Sequence, residues 1–201
     1  MSGADRPADG GWIDRLRARG ALLAGHFRLS SGLHSPSYVQ CALLLQHPTE
    51  AAAAGAALAE RLSGRVGLPP QTVVSPAIGG IVLGHEVARA WGARAVWAER
   101  AGPEGGLAFR RGFGLSPGER VVAVEDVVTT AGSLRELVAL CREAGAEVVG
   151  VAALVDRSGG GVEWELPWAS LVEVEVEQHA PESCPQCAAG IPAIKPGSRP
   201  G

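Results

Sequence analysis

The chain has 201 residues, a formal charge of −3, 46% apolar residues and 19% charged ones, which fits a soluble folded chain with one core and excludes disordered and fibrous classes. Of its 18 basic residues all but Lys195 are arginines; without an arginine-dense face or a basic surplus, no nucleic-acid partner is expected. Glycine, at 28 residues, is about twice as common as usual and is expected in turns and ligand-cradling loops.

In chain order, the first expected element is a helix from about Trp12 to Arg19, with Trp12, Leu16, Leu22 and Leu23 on one apolar face and Gly20 as its end. A second helix is expected from about Pro48 to Leu62: Pro48 and Glu50 suit a first turn, Leu58 and Leu62 lie four apart, and Gly64 suits the end. Thr72–Ser75 is a short β-branched strand, followed by a turn over Pro76–Gly80 and a helix from about Ile81 to Trp91. Arg94–Ala98 reads as the next strand. Residues 99–112 are rich in Gly, Pro and charge and read as a mobile loop, with Leu107–Phe109 a short returning strand. Val121–Val124 is a fully apolar strand, then come a helix from about Leu134 to Ala144 and a strand over Val148–Val155. Val172, Val174 and Val176 alternate with Glu173, Glu175 and Glu177, the period of a strand with one wet face near a sheet edge. The alternation of strands and helices predicts one α/β domain over 1–201 with a mostly parallel sheet.

The N-terminus carries Asp5, Arg6 and Asp9 without an apolar core, so no signal peptide is read there. The longest uncharged Ala-rich run, Ala51–Ala59, is far shorter than the roughly 20 residues of a membrane span. A cytoplasmic location away from membranes is therefore expected, with the four cysteines reduced.

The stretch Val121–Ser133, VVAVEDVVTTAGS, concentrates the chemistry. A buried strand ends in Glu125 and Asp126, and a Thr/Ser/Gly turn then opens a helix. Ligands of open α/β sheets collect beyond the carboxyl ends of strands. Backbone N–H groups at a helix start, with the hydroxyls of Thr129, Thr130 and Ser133, make an anion cradle. Carboxylates just before such a cradle would repel a phosphate and suit sugar hydroxyls instead. The pair of features specifies a ribose 5-phosphate unit.

This stretch resembles the phosphoribosyl pyrophosphate (PRPP) binding motif of type I phosphoribosyltransferases. Carried over, the motif makes Glu125, Asp126, Val127, Val128, Thr129, Thr130, Ala131, Gly132 and Ser133 the PRPP-binding segment. Ala131 departs from it, since the family usually has glycine there; if the loop needs a positive φ, alanine costs about 1 kcal/mol or more. Gly25–Gln40, GHFRLSSGLHSPSYVQ, is similar to the hood segment of orotate phosphoribosyltransferases, which implies orotate contacts from Phe27 and Tyr38. Ser75–Gly92 is similar to that family's pyrophosphate loop and following helix, which implies PRPP contacts at Ile78, Gly79 and Gly80. Val155–Gly161 matches the position of an arginine against the pyrimidine, which makes Arg157 an orotate ligand alongside Thr129.

The resemblance implies a type I phosphoribosyltransferase fold: helices on both faces of the sheet, a small hood over about 20–45 with the C-terminal strand and tail, and a flexible lid over about 99–112. It implies PRPP and orotate as substrates, Mg²⁺ carried with PRPP, and a homodimer whose lid reaches the neighbouring site. Asp126 and Glu125 would hold the ribose hydroxyls and favour the cationic carbon as pyrophosphate leaves, while orotate N1 attacks without a protein nucleophile. Family members with a lysine and a histidine in the lid differ from this chain, which has neither; Arg100 is the candidate lid cation and catalytic residue, with Arg110 and Arg111 behind it. Glycines 102, 105, 106 and 112 with Pro103 suit a lid that opens and shuts. Other readings are a purine or other base on the same fold, discriminated by a substrate panel, and a PRPP-sensing regulator, discriminated by a nucleic-acid shift.

Cys184-Pro185-Gln186-Cys187 is a lone CxxC with His179 five residues earlier, lacking a fourth ligand and a second paired motif. It is expected to be a reduced structural pair, and no metal-binding residues are assigned; a metal module there would show as stoichiometric zinc. His26, His34 and His85 are scattered without metal spacing, and His34 is expected to be packed or solvated.

Overall fold

The computed structural model describes residues 11–29, 31–102, 105–174 and 176–195. A helix α1 (Trp12–Ala18) leads into a two-stranded antiparallel hairpin, β1 (Leu22–Arg28) and β2 (His34–Val39). A one-turn helix α2 (Ala42–Leu45) and α3 (Pro48–Ser63) follow, then β3 (Thr72–Pro76), α4 (Gly80–Trp91), β4 (Arg94–Arg100), β5 (Leu107–Phe109), β6 (Arg120–Val128), α5 (Gly132–Glu143), β7 (Glu147–Asp156), β8 (Trp168–Glu173) and a one-turn helix α6 (Pro185–Ala188). The main sheet has the order β5-β4-β3-β6-β7-β8 and is parallel except for β5, which runs antiparallel to β4. Among the described residues no helix is long and apolar enough to cross a membrane.

The apolar runs become central strands because both of their faces are covered. Val73, Val122, Val124, Ala152 and Leu154 point to one face, into a core with Leu58 and Leu62 of α3 and Leu83 and Val87 of α4. Their neighbours Val74, Val121, Ala123, Val151 and Ala153 point to the other, into a core with Leu134, Leu137 and Cys141 of α5. The period-two alternation splits each strand between the two layers, and each fully buried Val or Leu contributes about 1.5–3 kcal/mol. Two small residues set the spacing of the first layer. A Cβ on Gly55 of α3 would lie 2.5 Å from the backbone of Glu86 in α4, and one on Gly84 would lie 2.9 Å from the Ser75 side chain in β3. At the N-terminal end of the sheet Arg94 bridges Glu119, 2.8 Å away, which secures the end opposite the site.

Several boundaries differ from those expected. Leu22 and Leu23 do not extend the face of α1: the left-handed Gly20 (φ 63) turns the chain, and both leucines enter β1. The last strand is Trp168–Glu173; Val172 is buried and Glu173 exposed, as the alternation demands, but Val174 lies past the strand, and Glu175 is outside the described residues. It is an edge strand, as expected. Glu99 and Arg100 belong to β4 rather than to a loop, because they pair with Ala108 and Leu107 of β5. Pro103, expected in the lid, lies outside the described residues. β6 runs on through the acidic pair to Val128, since its ladder with β7 continues to Asp156. Helix α5 begins at Gly132, two residues earlier than expected.

After β8 the chain folds back over the hairpin. His179 exchanges backbone hydrogen bonds with His34 at 2.8 and 2.9 Å, and Ile194 brackets Phe27 by bonds to Arg28 and His26 at 2.9 and 2.8 Å. The hairpin and this tail thus lie together, while the last strand, β8, expected with the hood, belongs to the main sheet because it pairs with β7.

Candidate active site

The C-terminal ends of β6 and β7 and the β1–β2 hairpin open onto a cleft of about 790 Å³, a size that suits a small-molecule ligand. Tyr38 comes from the hood, Asp126 and Val127 from β6, Thr129 and Thr130 from the turn after it, and Arg157 from the end of β7. These elements are distant in sequence; parallel pairing of β6 with β7 brings their ends together.

Asp126 and Glu125 are consecutive on a strand, so their side chains leave on opposite faces. Asp126 faces the loop between β3 and α4, where a Cβ on Gly79 would sit 2.7 Å from both carboxylate oxygens. Only glycine lets that loop lie against the carboxylate. Burial pushes the Asp126 carboxyl up from its usual range, opposed by hydrogen bonds from its own backbone N–H and that of Val127. Glu125 does not line the cleft. Burial, reinforced by the charge of Asp126 and opposed by Arg100, lifts it to about 7.

Arg157 supplies the site's least satisfied polar group. The residue is only 8% exposed, and its backbone N–H is fixed by a 2.8 Å bond to the carbonyl of Val128. Nε and Nη2 of the guanidinium are buried with no hydrogen-bond partner, as is the hydroxyl of the next residue, Ser158. Burial lowers the Arg157 pKa, offset by Tyr38 and Cys41. A buried guanidinium without an acceptor is expensive, and a planar anion in the cleft would satisfy it.

Two helix starts meet the same rim. Helix α5 begins behind Ala131, which holds φ 60, so the loop needs the left-handed conformation that alanine adopts at a cost. Neither α5 nor α4 has a side-chain cap or an acidic residue in its first turn, which leaves N–H groups available to anions. Ala131 and Val128 are buried among the side chains packed on α5, so these motif positions offer only backbone. Gly132 and Ser133 form the first turn of α5 and Gly80 starts α4, capped by Gly79. Ile78, joined to Ala77 by a cis peptide, is 86% exposed. Phe27 is placed differently from the expectation: it is buried behind Tyr38, ring centroids 5.8 Å apart, and supports that ring instead of lining the cleft.

The β4–β5 hairpin ties two of its arginines to carboxylates of the chain. Arg100 pairs with Glu136 of α5 at 2.7 Å, and Glu136 also accepts the Leu107 N–H at 2.6 Å. Arg111 pairs with Glu99, while Arg110 is exposed and makes no ion pair among the described residues. Sequence reasoning missed Glu136 as well as Arg28, Ser158, Gln178 and Lys195, all four on the cleft wall. Ser158 was findable by its adjacency to Arg157; Lys195, the only lysine, reaches the cleft through the fold of the tail.

The chain matches the phosphoribosyl transferase domain family over residues 42–186. It is 51% identical to an orotate phosphoribosyltransferase of Carboxydothermus hydrogenoformans over 179 residues, 89% of this chain and 92% of that protein. The crystal structure of orotate phosphoribosyltransferase from Aeropyrum pernix is similar at a TM-score of 0.64 and 26% identity, covering 80% of this chain and 92% of that one. An adenine phosphoribosyltransferase from Trypanosoma brucei shares the fold at a TM-score of 0.60 and 18% identity, covering 86% of this chain and 82% of that one.

Proposed function

We propose, from the premise that this chain belongs to the orotate phosphoribosyltransferase family of phosphoribosyltransferases, a residue-by-residue account of its catalysis in the cleft beneath the hood. The enzyme transfers the 5-phosphoribosyl group of PRPP to orotate, releasing pyrophosphate and forming orotidine 5′-monophosphate in pyrimidine biosynthesis. The observation that carries the assignment of sites is the buried guanidinium of Arg157, whose Nε and Nη2 lack partners at the cleft. Orotate is an anionic, planar ring that supplies acceptors for both nitrogens, and a neutral purine would leave the charge unpaired.

PRPP lies along the carboxyl ends of β3 and β6. Its 5-phosphate takes the first-turn N–H groups of α5 with Thr129, Thr130 and Ser133, and its pyrophosphate takes the Ile78–Gly80 backbone at the start of α4. Asp126 accepts hydrogen bonds from the ribose hydroxyls, and its charge stabilises the positive character that C1′ gains as pyrophosphate departs. Glu125, on the opposite face of β6 and outside the cleft, makes no contact with the sugar. Orotate, held by Arg157 and Thr129 under Tyr38, presents N1 to C1′; positioning and electrostatics supply the acceleration. The Asp126 carboxylate and the Thr129 and Thr130 hydroxyls of the cleft would suit a magnesium ion carried with PRPP, which would help neutralise the charge of the departing pyrophosphate.

Arg100 serves as the lid cation once it exchanges Glu136 for the pyrophosphate, with Arg110 the unpaired reserve. The family likeness supports a cytoplasmic homodimer in which this lid serves the neighbouring site. The test is turnover of orotate, uracil, adenine and xanthine with PRPP and Mg²⁺, read by the loss of base absorbance. Orotate alone is expected to react, and Asp126→Asn is expected to lower kcat at least about 100-fold with unchanged circular dichroism. Equal turnover of adenine, or near-normal rates in the variant, would overturn the site assignment.

A further inference from the structure

Four side chains that look unrelated in the sequence converge where the tail folds onto the β1–β2 hairpin. His34 pairs with Arg28 across the hairpin, and His26 lies in the irregularity of β1 between Ala24 and Phe27, beside that pair. The two imidazoles meet edge to face with centroids 4.7 Å apart. From the tail, Cys184 and Cys187 bracket the first turn of α6 and are brought over the same face. The donor atoms of all four residues lie within 4.8 Å of one another. His26 Nε2 is 2.9 Å from His34 Nδ1 and 3.4 and 3.8 Å from the Sγ atoms of Cys184 and Cys187, and Cys187 Sγ is 3.2 Å from His34 Nδ1. This corrects the expectations that the histidines are scattered and that the CxxC lacks further ligands; His179 is not one of the four.

We propose that His26, His34, Cys184 and Cys187 form a structural zinc site that clasps the C-terminal tail to the hood. Tetrahedral Zn²⁺ with Zn–S of about 2.3 Å and Zn–N of about 2.0–2.1 Å needs donors about 3.3–3.8 Å apart; the four contacts of 2.9, 3.2, 3.4 and 3.8 Å lie close to that spacing, and all the donors fall within 4.8 Å of one another. Two thiolates and two imidazoles are the soft, borderline set that selects zinc over magnesium. The outer partner of a ligating imidazole is in place as well. The Ile191 carbonyl, 2.7 Å from His26 Nδ1, can only accept, so Nδ1 carries the proton and Nε2 turns its lone pair inward. Hydrogen bonding alone gives a poorer account of the cluster. Nε2 then faces three groups of which only one could donate to it, in a pocket where His26, His34 and Cys184 are all buried.

All four positions of the ion are filled by protein, so the site is closed and makes no claim on the reaction. Its effect is on the cleft wall. The hairpin carries Arg28 and Tyr38 into the cleft and the tail carries Gln178 and Lys195, and the two segments also meet through backbone bridges at His34–His179 and Phe27–Ile194, the Gln186 side chain on the Gly25 carbonyl and His26 Nδ1 on the Ile191 carbonyl. An ion between them fixes both walls together.

The full-length enzyme, purified without chelator and measured by inductively coupled plasma mass spectrometry, is expected to carry about one zinc per chain. The double variant Cys184→Ser/Cys187→Ser should carry less than about a tenth of that. Cobalt added to chelator-stripped wild-type enzyme should give thiolate-to-cobalt charge-transfer and tetrahedral ligand-field bands, a readout that requires no variant to fold. Zinc added to the stripped enzyme should raise its unfolding midpoint. Wild-type protein with less than a tenth of an equivalent of zinc and no cobalt bands would overturn the proposal, as would stoichiometric zinc in the double variant. None of these readouts depends on turnover, so they stand or fall separately from the orotate assignment.

Discussion

Arg157 holds a guanidinium at 8% exposure with two nitrogens unpartnered, and in the proposed site this one residue would trade stability for recognition. Replacing it by methionine removes an uncompensated buried charge and keeps most of the volume, so Arg157→Met is expected to stabilise the unliganded enzyme by about 1–3 kcal/mol in urea denaturation. The same change should lower kcat/KM for orotate about 100-fold in steady-state kinetics, since two charge-assisted bonds of about 1.5 kcal/mol each are lost at 1.36 kcal/mol per decade. A loss of stability instead would mean that the guanidinium is satisfied as it stands. Glu125 behaves in a related way. Its folded pKa of about 7 lies above the value near 4.3 of an unfolded chain, so between those pH values the native state binds more protons and stability falls as pH rises. The penalty is complete above pH 7 and absent below about pH 4. Glu125→Gln should therefore be more stable than wild type by about 2–3 kcal/mol at pH 8 and nearly equal to it at pH 4.5, by urea denaturation at the two values. A pH-independent difference would put Glu125 against a cation that keeps it charged. Ala131, at φ 60, shows the same pattern in the backbone: conformational energy is stored in the turn between β6 and α5.

At the scale of elements, the packing of α3 on α4 depends on one missing side chain. Because a Cβ at Gly55 would fall 2.5 Å from the Glu86 backbone, Gly55→Ala must push the helices apart and should destabilise by about 1–3 kcal/mol in thermal or urea unfolding. Gly64, which ends α3 at φ −77 with nothing within 4 Å of an added Cβ, is the matched control; Gly64→Ala should be neutral or stabilising by up to about 1 kcal/mol. Equal effects of the two changes would remove the contact as the cause. Element types were legible from periodicity: the apolar runs at Val121–Val124 and Val148–Val155 could only be two-sided strands, and Pro48 announced its helix. Their lengths were not. β6 continues through Glu125 and Asp126 because β7 hydrogen-bonds to it as far as Asp156, and β4 includes Arg100 because β5 returns alongside. In both places a partner strand overrides residue preference. The hairpin β1–β2 was hidden for the same reason: its pairing and the tail stabilise it, not a strict alternation of its residues.

For the whole molecule, ligand binding should couple to global stability, since the cleft joins the sheet, the hood and the tail. Orotidine 5′-monophosphate at about 100 times its dissociation constant should add about 2.7 kcal/mol, an increase in unfolding midpoint of about 5–10 °C for a chain of this size. Differential scanning fluorimetry measures this without turnover. Arg157→Met should lose most of the shift, and an undiminished shift would place the base away from that guanidinium. The sequence alone determined the α/β class, most of its strands and helices, and the acidic pair Glu125–Asp126 set before a Thr/Ser/Gly turn, because each of these is encoded by residues close along the chain, through periodicity and turn residues. Only the tertiary structure decided that Phe27 stands behind Tyr38, that Arg100 rests on Glu136, that Lys195 reaches the cleft, and that His26 meets Cys184 from 158 residues away. Such meetings follow from how the tail folds over the hairpin and how side chains divide between the faces of a strand, and no local pattern of residues encodes either.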